Sequence, residues 1–271
     1  MISFVGAGPG AADLVTVRGA RLLAQADVVV YAGSLVNPEL LGLCGEGCQT
    51  YDSAVMTLEQ VVGLMADAER AGRRCVRLHT GDPALFGAIR EQMDALAALG
   101  LDFEVVPGVS SMFGASAALR AEYTVPGVSQ SVIVCRMEGR TPVPERERLR
   151  KLASHGCTMV LFLSASLLRE VQEELLAGGY DPVTPAAIVV RATWPDEEVH
   201  RCTVGTIARC GEDHAVSRTA LVVVGDVLGD AGERSRLYDP TFSHGYRGAV
   251  DVAEVAKMAG VPDVALRKAR K

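Results

Sequence analysis

The first half of the chain alternates short apolar runs with longer stretches whose apolar residues recur every three or four positions. Short apolar runs bounded by turn signals are typical of buried strands, and the longer spacing is typical of amphipathic helices. The pattern predicts strands at residues 2–5, 28–31, 75–78 and 103–106, and helices at 15–25, 57–70, 84–99 and 110–121. Strands that alternate with helices indicate βαβ units and a mostly parallel sheet.

The pattern changes near residue 122, where Pro126 and Gly127 indicate a connection. Beyond it, strands are predicted at residues 131–135, 158–163, 186–192 and 220–224, and helices at 145–153 and 167–176. A short strand at 199–204 follows the turn at Pro195 too closely for a crossover, so we expect it to pair antiparallel and make the second sheet mixed.

The fold class predicted from this order is α/β, with two α/β domains. The N-terminal domain comprises residues 1–121 and the C-terminal domain residues 122–229. A C-terminal extension, residues 230–271, contains a predicted helix at 250–258 and a basic end at 267–271.

Glycine-rich loops follow three of the predicted strands. Their sequences are Gly6-Ala7-Gly8-Pro9-Gly10, Thr80-Gly81-Asp82-Pro83 and Pro107-Gly108-Val109-Ser110-Ser111. Gly81 permits a left-handed backbone, Asp82 can cap the next turn, and Pro83 suits the first turn of a helix. If the three strands are parallel, the loops face one crevice at the carboxyl ends, where open α/β sheets bind ligands.

Composition limits the class of protein. The chain has 271 residues, of which 49% are hydrophobic, and this is enough apolar material for packed cores and excludes disorder. The net charge of −6 argues against a nucleic-acid partner. No basic and apolar leader opens the sequence and no apolar run has the length of a membrane span, so we expect a soluble cytoplasmic protein without a membrane partner.

The cysteines do not indicate a metal site or a disulfide framework. There are seven, which is an odd number, and no pair has the C-x-x-C spacing. Several lie in apolar strands, where a thiol is most simply a small core residue.

The first glycine loop also fits the dinucleotide fingerprint G-x-G-x-x-G/A. That fingerprint requires a carboxylate about twenty residues later to bind the ribose. Here the second strand ends at Tyr31-Ala32-Gly33-Ser34, without a carboxylate, and Pro9 removes a backbone donor from the loop. Nicotinamide binding is therefore the less favoured alternative.

Two further residues are candidates for contact with a substrate. His79 precedes the central loop and is either a ligand or acid/base residue or, by preference, a hydrogen-bonded structural histidine. Arg140 lies in a stretch stiffened by Pro142 and Pro144, which is either a solvated loop or a lid whose arginine pairs with the carboxylates of an acidic substrate. No motif identifies a catalytic nucleophile or base.

The three loops together resemble those of the tetrapyrrole (corrin/porphyrin) methyltransferases that use S-adenosylmethionine, over about residues 1–228. Residues 137–145 and 192–197 are similar to the branch that methylates ring carbon C11 of precorrin-4 in cobalamin biosynthesis, giving precorrin-5. The resemblance implies the tetrapyrrole methylase fold with the donor in the cleft between the two domains. It also implies a homodimer, and S-adenosylhomocysteine as the second product.

The resemblance places the donor contacts at Pro9, Thr80, Gly81, Asp82, Leu85, Ser110, Ser111, Ser164 and Ala192. Ser164 stands where relatives can carry methionine, and Phe86 where some have tyrosine, so no role that needs the phenol hydroxyl is transferred to Phe86. Arg140 and His79 are assigned to the substrate. If a proton must leave the macrocycle, Asp82 and His79 are the candidate bases.

Alternatives remain open at this point. The substrate is either metal-free precorrin-4, which we favour because no cluster of cobalt ligands is visible, or cobalt-precorrin-4. A related enzyme would methylate another ring carbon or the modified histidine of diphthamide synthesis. A non-catalytic nucleotide-binding protein is the alternative from another class.

Overall fold

The computed structural model describes residues 1–33, 35–230, 232–233 and 235–250. The chain forms two compact units. The first comprises Met1–Ala118 and Val189–Glu198, and the second comprises Leu119–Ile188 and the described residues from Val199 onward. The predicted α/β architecture with two sheets is confirmed. The predicted C-terminal helix, apart from Val250, and the basic end lie outside the described residues.

The first sheet is entirely parallel. Its strands are β1 (Ile2–Gly6), β2 (Val28–Tyr31), β3 (Gln49–Asp52), β4 (Cys75–His79) and β5 (Phe103–Val106). They lie in the order β3-β2-β4-β1-β5, and each adjacent pair is parallel. The three strands that precede the glycine loops, β4, β1 and β5, are therefore neighbours. The prediction that the loops share one edge of a parallel sheet is confirmed.

Helices cover both faces of this sheet. They are α1 (Val17–Gln25), α2 (Leu58–Arg70), α3 (Ile89–Ala98) and α4 (Ser111–Leu119). Successive strand residues point to opposite faces. Val28 and Val30 accordingly share a core with Met65 of α2, whereas Val29 shares the opposite core with Leu23 of α1.

Several helix ends follow the sequence signals. Thr57 forms a capping box with Gln60 at the start of α2. Gly72 and Gly100 take left-handed backbone conformations, with φ of +69° and +70°, just after α2 and α3.

The helix predicted at 84–99 begins later, at Ile89, and the prediction that Pro83 occupies its first turn is wrong. The Asp82 carboxylate accepts a hydrogen bond from Ala84 N at 2.8 Å and so closes a tight turn in place of a helix. Phe86 and Ala88 then take left-handed φ values of 56° and 50°, which no helix can contain.

The second unit contains the other sheet. Its strands are β6 (Val132–Arg136), β7 (Thr158–Phe162), β8 (Pro185–Val190), β9 (Glu198–Thr203) and β10 (Ala220–Val224), and its helices are α5 (Leu149–Ala153), α6 (Leu168–Ala177) and α7 (Ile207–Asp213). The order is β6-β7-β10-β8-β9. The sheet is mixed, because β6 pairs parallel with β7 and β10 pairs antiparallel with it. The predicted antiparallel pairing of the strand at 199–204, which lies in β9, stays a prediction.

The segment that follows β8 departs from the linear order of the chain. β8 ends at Val190, before the predicted end at residue 192, because Arg191 takes a left-handed φ of 48°. Residues Val189–Glu198, which include the last two residues of β8 and the first residue of β9, belong to the compact unit of the first sheet. None of the helices in the described part of the chain is long and apolar enough to cross a membrane.

Candidate functional site

The first and second glycine loops are joined backbone to backbone. Ala7 N donates to the carbonyl of His79 at 2.7 Å. Gly8 and Gly81 exchange two hydrogen bonds, Gly8 N to Gly81 O at 3.3 Å and Gly81 N to Gly8 O at 2.8 Å. Both glycines have left-handed φ values, +83° and +62°, that other residues rarely adopt. The two loops are thus held at a fixed separation by peptide groups alone.

The third loop is fixed to the second by Asp82. One carboxylate oxygen of Asp82 accepts a hydrogen bond from Gly108 N at 2.9 Å, while the other caps Ala84. A Cβ atom added at Gly108 would lie 2.2 Å from the carbonyl oxygen of Gly81, and one added at Gly6 would lie 2.5 Å from the Cα of Gly108. Only glycine fits these positions, so the three loops form one wall of bare backbone.

The first loop is also supported by side chains from distant parts of the chain. Asn37, which is 7% exposed, donates through Nδ2 to the carbonyl of Gly10 at 3.0 Å. Thr193 Oγ1 accepts a hydrogen bond from Ala11 N at 3.0 Å. Neither contact was anticipated from the sequence. The only local signal is Asn37 before Pro38, an N-terminal cap of a short helix.

Packing explains the glycine fingerprint of the first loop. A Cβ at Gly8 would lie 2.9 Å from the carbonyl oxygen of Leu14, and one at Gly10 would lie 2.3 Å from the ring of Trp194. The N–H groups of Ala7, Gly8 and Ala11 already donate within the protein. A dinucleotide fingerprint needs glycine so that a pyrophosphate can approach free N–H groups. The nicotinamide alternative is therefore disfavoured.

The N-terminus of α4 presents polar groups at the same edge of the sheet. Ser110, which is 4% exposed, accepts a hydrogen bond from Met112 N through Oγ at 3.4 Å, and its carbonyl accepts one from Phe113 N at 3.0 Å. Thr80 Oγ1 is buried and has no hydrogen-bond partner among the described residues. A helix N-terminus favours an anionic group, and a buried hydroxyl requires a partner. Both features suit a polar ligand that carries a carboxylate.

His79 is buried at the end of β4 rather than displayed beside the loop. Its side chain is 3% exposed and stacks on the ring of Phe4, with 6.0 Å between ring centroids. Burial, with a smaller contribution from the positive charge of Arg77, lowers the pKa of His79 to about 3. The imidazole is therefore neutral at physiological pH. Its assignment to the substrate stays a prediction, and contact with a substrate requires a movement that exposes the ring.

The depressed pKa of His79 predicts an acid-dependent loss of stability. The unfolded chain takes up a proton near the ordinary pKa of 6.5, whereas the folded chain resists protonation down to about pH 3. The free energy of unfolding should therefore fall as the pH drops below about 6.5, by up to about 1.4 kcal/mol per pH unit from this residue. Chemical denaturation at several pH values measures this slope, and His79→Phe should reduce it. His155→Gln, at an exposed position, is the control and should keep the wild-type slope. An equal slope in the wild type and in His79→Phe would contradict the lowered pKa of His79.

In the second unit, Ser164 is fully buried and its hydroxyl already has two partners. Its Oγ accepts a hydrogen bond from Met137 N at 2.8 Å and donates to the carbonyl of Phe162 at 2.7 Å. The side chain therefore fixes the start of the segment at 137–145. Its assignment to the donor stays a prediction.

Arg140 is exposed, and no carboxylate in the described part of the chain forms an ion pair with it. Other residues hold its segment. Arg136 donates to the carbonyl of Pro142 at 2.7 Å, and Arg148 forms an ion pair with Glu145 at 2.9 Å. The segment therefore keeps its shape while the Arg140 guanidinium faces solvent. This geometry is compatible with the predicted pairing to an acidic substrate.

Strained backbone lies next to several predicted donor contacts. Among the described residues, eight non-glycine residues have positive φ, and four of them adjoin Leu85, Ser164 or Ala192: Phe86, Leu163, Arg191 and Thr193. Such strain costs free energy and is concentrated at functional sites. The sequence carries no signal for it, since none of the four is a residue type that favours this conformation.

The thiols and acidic groups of the described residues form no cluster that could bind a metal ion. Within residues that the structure describes, no group of three or more His, Cys, Asp and Glu side chains is arranged to hold a metal ion. Cys75 and Cys135 are buried, and burial raises the pKa of each to about 12. These thiols are core residues rather than nucleophiles.

The fold is that of an α/β protein with three glycine loops, linked through their peptide groups, at the carboxyl ends of three adjacent parallel strands. Residues 1–208 match the family model of the tetrapyrrole (corrin/porphyrin) methylases. The chain belongs to this family.

Relatives of known name are similar over most of the chain. The sequence is 47% identical over 247 residues to the cobalt-precorrin-4 C(11)-methyltransferase of Methanocaldococcus jannaschii, covering 91% of this chain and 95% of the relative. It is 47% identical over 228 residues to the precorrin-4 C(11)-methyltransferase of Mycobacterium tuberculosis, covering 84% of this chain and 91% of the relative.

Solved structures of methyltransferases that act on tetrapyrroles are also similar to this chain. A cobalt precorrin-4 methyltransferase of cobalamin biosynthesis has a TM-score of 0.82 at 47% identity and covers 84% of this chain and 95% of its own. The uroporphyrin-III C-methyltransferase of Thermus thermophilus, in complex with S-adenosylhomocysteine, has a TM-score of 0.71 at 29% identity and covers 84% of this chain and 98% of its own.

Proposed function

We propose that this protein transfers a methyl group from S-adenosylmethionine to ring carbon C11 of precorrin-4, giving precorrin-5 and S-adenosylhomocysteine. The observation that carries the proposal is the 47% identity, over 91% of the chain, to a C11-methyltransferase of this family. The linked loops support it, because their bare backbone, buried Thr80 hydroxyl and α4 N-terminus suit a polar nucleoside donor with a carboxylate.

The protein's part in this reaction is chiefly alignment. The donor supplies an already activated methyl group on a positively charged sulfur. The chain binds the donor through the peptide group at Ser111, through Thr80 Oγ1 and around Pro9, Gly81, Asp82 and Leu85, and so fixes the direction of transfer. In such a displacement, holding the two reactants in line and excluding water can supply much of the rate enhancement over the uncatalysed reaction.

Arg140 is proposed to pair with a carboxylate of the acidic macrocycle. Arg140→Gln should raise the KM for the macrocycle about tenfold, with little change in kcat, because it removes one charge-assisted contact. The matched control is Arg146→Gln, directly after this segment, where the arginine is exposed and lies near Glu147. Steady-state kinetics with varied macrocycle measure both. Equal effects of the two substitutions would reject a specific role for Arg140.

The form of the substrate is proposed as metal-free precorrin-4. Cobalt-precorrin-4 is the second candidate, since a relative named for it is 47% identical over 247 residues and a relative named for precorrin-4 is 47% identical over 228 residues. A cytoplasmic homodimer is also proposed from the family resemblance. Light scattering on the purified protein tests the dimer, which a monomeric mass at working concentration would exclude.

Methyl-labelled S-adenosylmethionine tests the reaction. The purified protein is incubated with labelled donor and either precorrin-4 or cobalt-precorrin-4, and NMR locates the label in the product. Label at C11 supports the proposal, and the faster substrate identifies the form used. Label at another carbon, or none with either macrocycle, rejects it.

Gly114 of α4 provides a test of the first loop as part of the donor site. A Cβ there would lie 3.0 Å from Cβ of Pro9, 3.1 Å from Cγ2 of Thr193 and 3.4 Å from Cβ of Ala192. Gly114→Ala should therefore shift these neighbours and weaken binding of S-adenosylhomocysteine by about 3- to 10-fold. Isothermal titration calorimetry measures the affinity. The control is Gly63→Ala in α2, where a Cβ meets nothing within 4 Å and binding should not change.

A further inference from the structure

The segment after β8 contacts the first glycine loop at two points. Thr193 Oγ1 accepts a hydrogen bond from Ala11 N at 3.0 Å. The ring of Trp194 lies against Gly10, where an added Cβ would be 2.3 Å from Trp194 Cδ1 and 2.8 Å from the carbonyl oxygen of Ala192. One contact satisfies a loop N–H group, and the other occupies the space beside the loop. The loop therefore cannot shift toward this segment.

The contacting residues are themselves held in place. The Arg191 guanidinium lies over the Trp194 ring, 4.2 Å from its centroid, and forms an ion pair with Asp196 at 2.6 Å. Thr193 N donates to the Glu197 carboxylate at 2.6 Å. A cation over an aromatic face restrains both groups. The Trp194 ring is thus fixed on one face by Arg191 while it packs against the loop.

The backbone here is strained. Arg191 and Thr193 have left-handed φ values of 48° and 68°. For a β-branched residue such as threonine this conformation is a genuine outlier, and it persists only where surrounding contacts enforce it. In this backbone conformation the Thr193 hydroxyl and the Trp194 ring both contact the same loop.

We propose that Thr193 and Trp194 are positioning residues that hold the Gly8–Ala11 loop in the shape that binds the methyl donor. The inference rests on the proposed function, because the ligand of the loop is taken to be S-adenosylmethionine. Neither residue is among the contacts that the family resemblance assigns. They act through the loop, and a loop held in its bound shape loses less conformational entropy when the ligand binds.

Calorimetric titration with S-adenosylhomocysteine tests the roles without the macrocycle. Valine has nearly the shape of threonine and keeps its methyl group but lacks the hydroxyl. Thr193→Val should therefore weaken the binding of S-adenosylhomocysteine about tenfold, because the Ala11 N–H group loses its acceptor. Thr193→Ser restores the oxygen and should return the affinity to within about threefold of wild type. Trp194→Ala should weaken binding at least about tenfold, and Trp194→Phe much less, since an aromatic ring is kept. Tyr246→Ala, at a fully exposed aromatic residue, is the control.

Fluorescence adds a readout that a purely structural role would not move. Trp194 is the single tryptophan of the chain, so its emission reports on this segment alone. Titration of the wild type with S-adenosylhomocysteine should change the emission with a midpoint equal to the calorimetric Kd. In turnover, Thr193→Val should raise the KM for the donor and leave kcat nearly unchanged.

The outcomes separate the two proposals. If the wild type binds S-adenosylhomocysteine, but Thr193→Val binds it as tightly as the wild type and the wild-type emission does not respond to the ligand, the positioning role is rejected. If the variants behave as expected but no methyl reaches a macrocycle, the positioning role stands and the proposed reaction fails. No binding by the wild type overturns both. Because Trp194→Ala removes a packed ring and can unfold the protein, the comparison of Thr193→Val with Thr193→Ser decides the question.

Discussion

Gly108→Ala is expected to abolish measurable binding of S-adenosylhomocysteine and to lower the thermal stability of the protein. The new Cβ would lie 2.2 Å from the Gly81 carbonyl oxygen and 2.7 Å from the Gly6 Cα. These are backbone atoms of two other loops, so no side-chain rotation relieves the overlap. Overpacking of this kind costs about 1–3 kcal/mol or more, and here it separates the loops themselves.

Calorimetry and thermal unfolding, applied to the same preparation, measure the two effects of Gly108→Ala. Gly42→Ala is the matched control, because a Cβ there meets nothing within 4 Å. It should leave both binding and melting temperature close to those of the wild type. If Gly108→Ala bound the ligand as tightly as Gly42→Ala, the close packing of the three loops would not be a requirement of the site.

Asp82→Ala is expected to weaken the binding of S-adenosylhomocysteine by about 10- to 100-fold. The substitution removes the charged acceptor of two N–H groups, that of Gly108 in a part-buried contact and that of Ala84 in an exposed one. A hydrogen bond to a charged group contributes about 1.5–3 kcal/mol, and the bond to Gly108 also ties two loops together. Asp82→Asn keeps one acceptor oxygen and should lie between wild type and alanine. Calorimetry again measures the affinity.

Asp94→Ala provides the control for Asp82, since it removes an exposed carboxylate paired with Arg90. An exposed ion pair contributes little, so binding should not change. The Asp82→Asn variant also separates two roles. Loss of methyl transfer with donor binding intact would identify Asp82 as the base, whereas parallel losses identify it as a brace between loops.

Four of the five strands of the first sheet could be predicted because their signals are local. The buried valines of β2 and the glycines after α2 and α3 specify their own structure. The elements that were missed lack such signals. β3 is short and polar, with the sequence QTYD, and α7 contains Gly211 and ends in Glu212-Asp213. Their structure depends on neighbours in space rather than on their own pattern.

The start of α3 shows how a side chain can override a helical pattern. Residues 84–88 are compatible with a helix, but the Asp82 carboxylate caps Ala84 N and the carbonyl of Asp82 accepts a hydrogen bond from Leu85 N. Phe86 and Ala88 then turn left-handed. The same carboxylate reaches Gly108, so the turn is shaped by a contact 26 residues away in sequence that no local pattern records.

For the candidate site, the three loops could be predicted from the sequence, but the side-chain contacts that fix their conformation could not. Asn37 reaches Gly10 across 27 residues, and Thr193 reaches Ala11 across 182. Hydrophobic periodicity carries no information about such contacts. The glycine fingerprint was ambiguous for the same reason, because close approach of Trp194 and of a pyrophosphate both require glycine at this position.

A crystal structure of the complex with S-adenosylhomocysteine tests the central claim, that the linked glycine loops bind the methyl donor. We predict that the ligand contacts the peptide groups of Gly81 and Ser111 and that Thr80 Oγ1 donates or accepts a hydrogen bond with it. A ligand bound at full occupancy elsewhere, with Thr80 Oγ1 and the three loops untouched, would contradict the account.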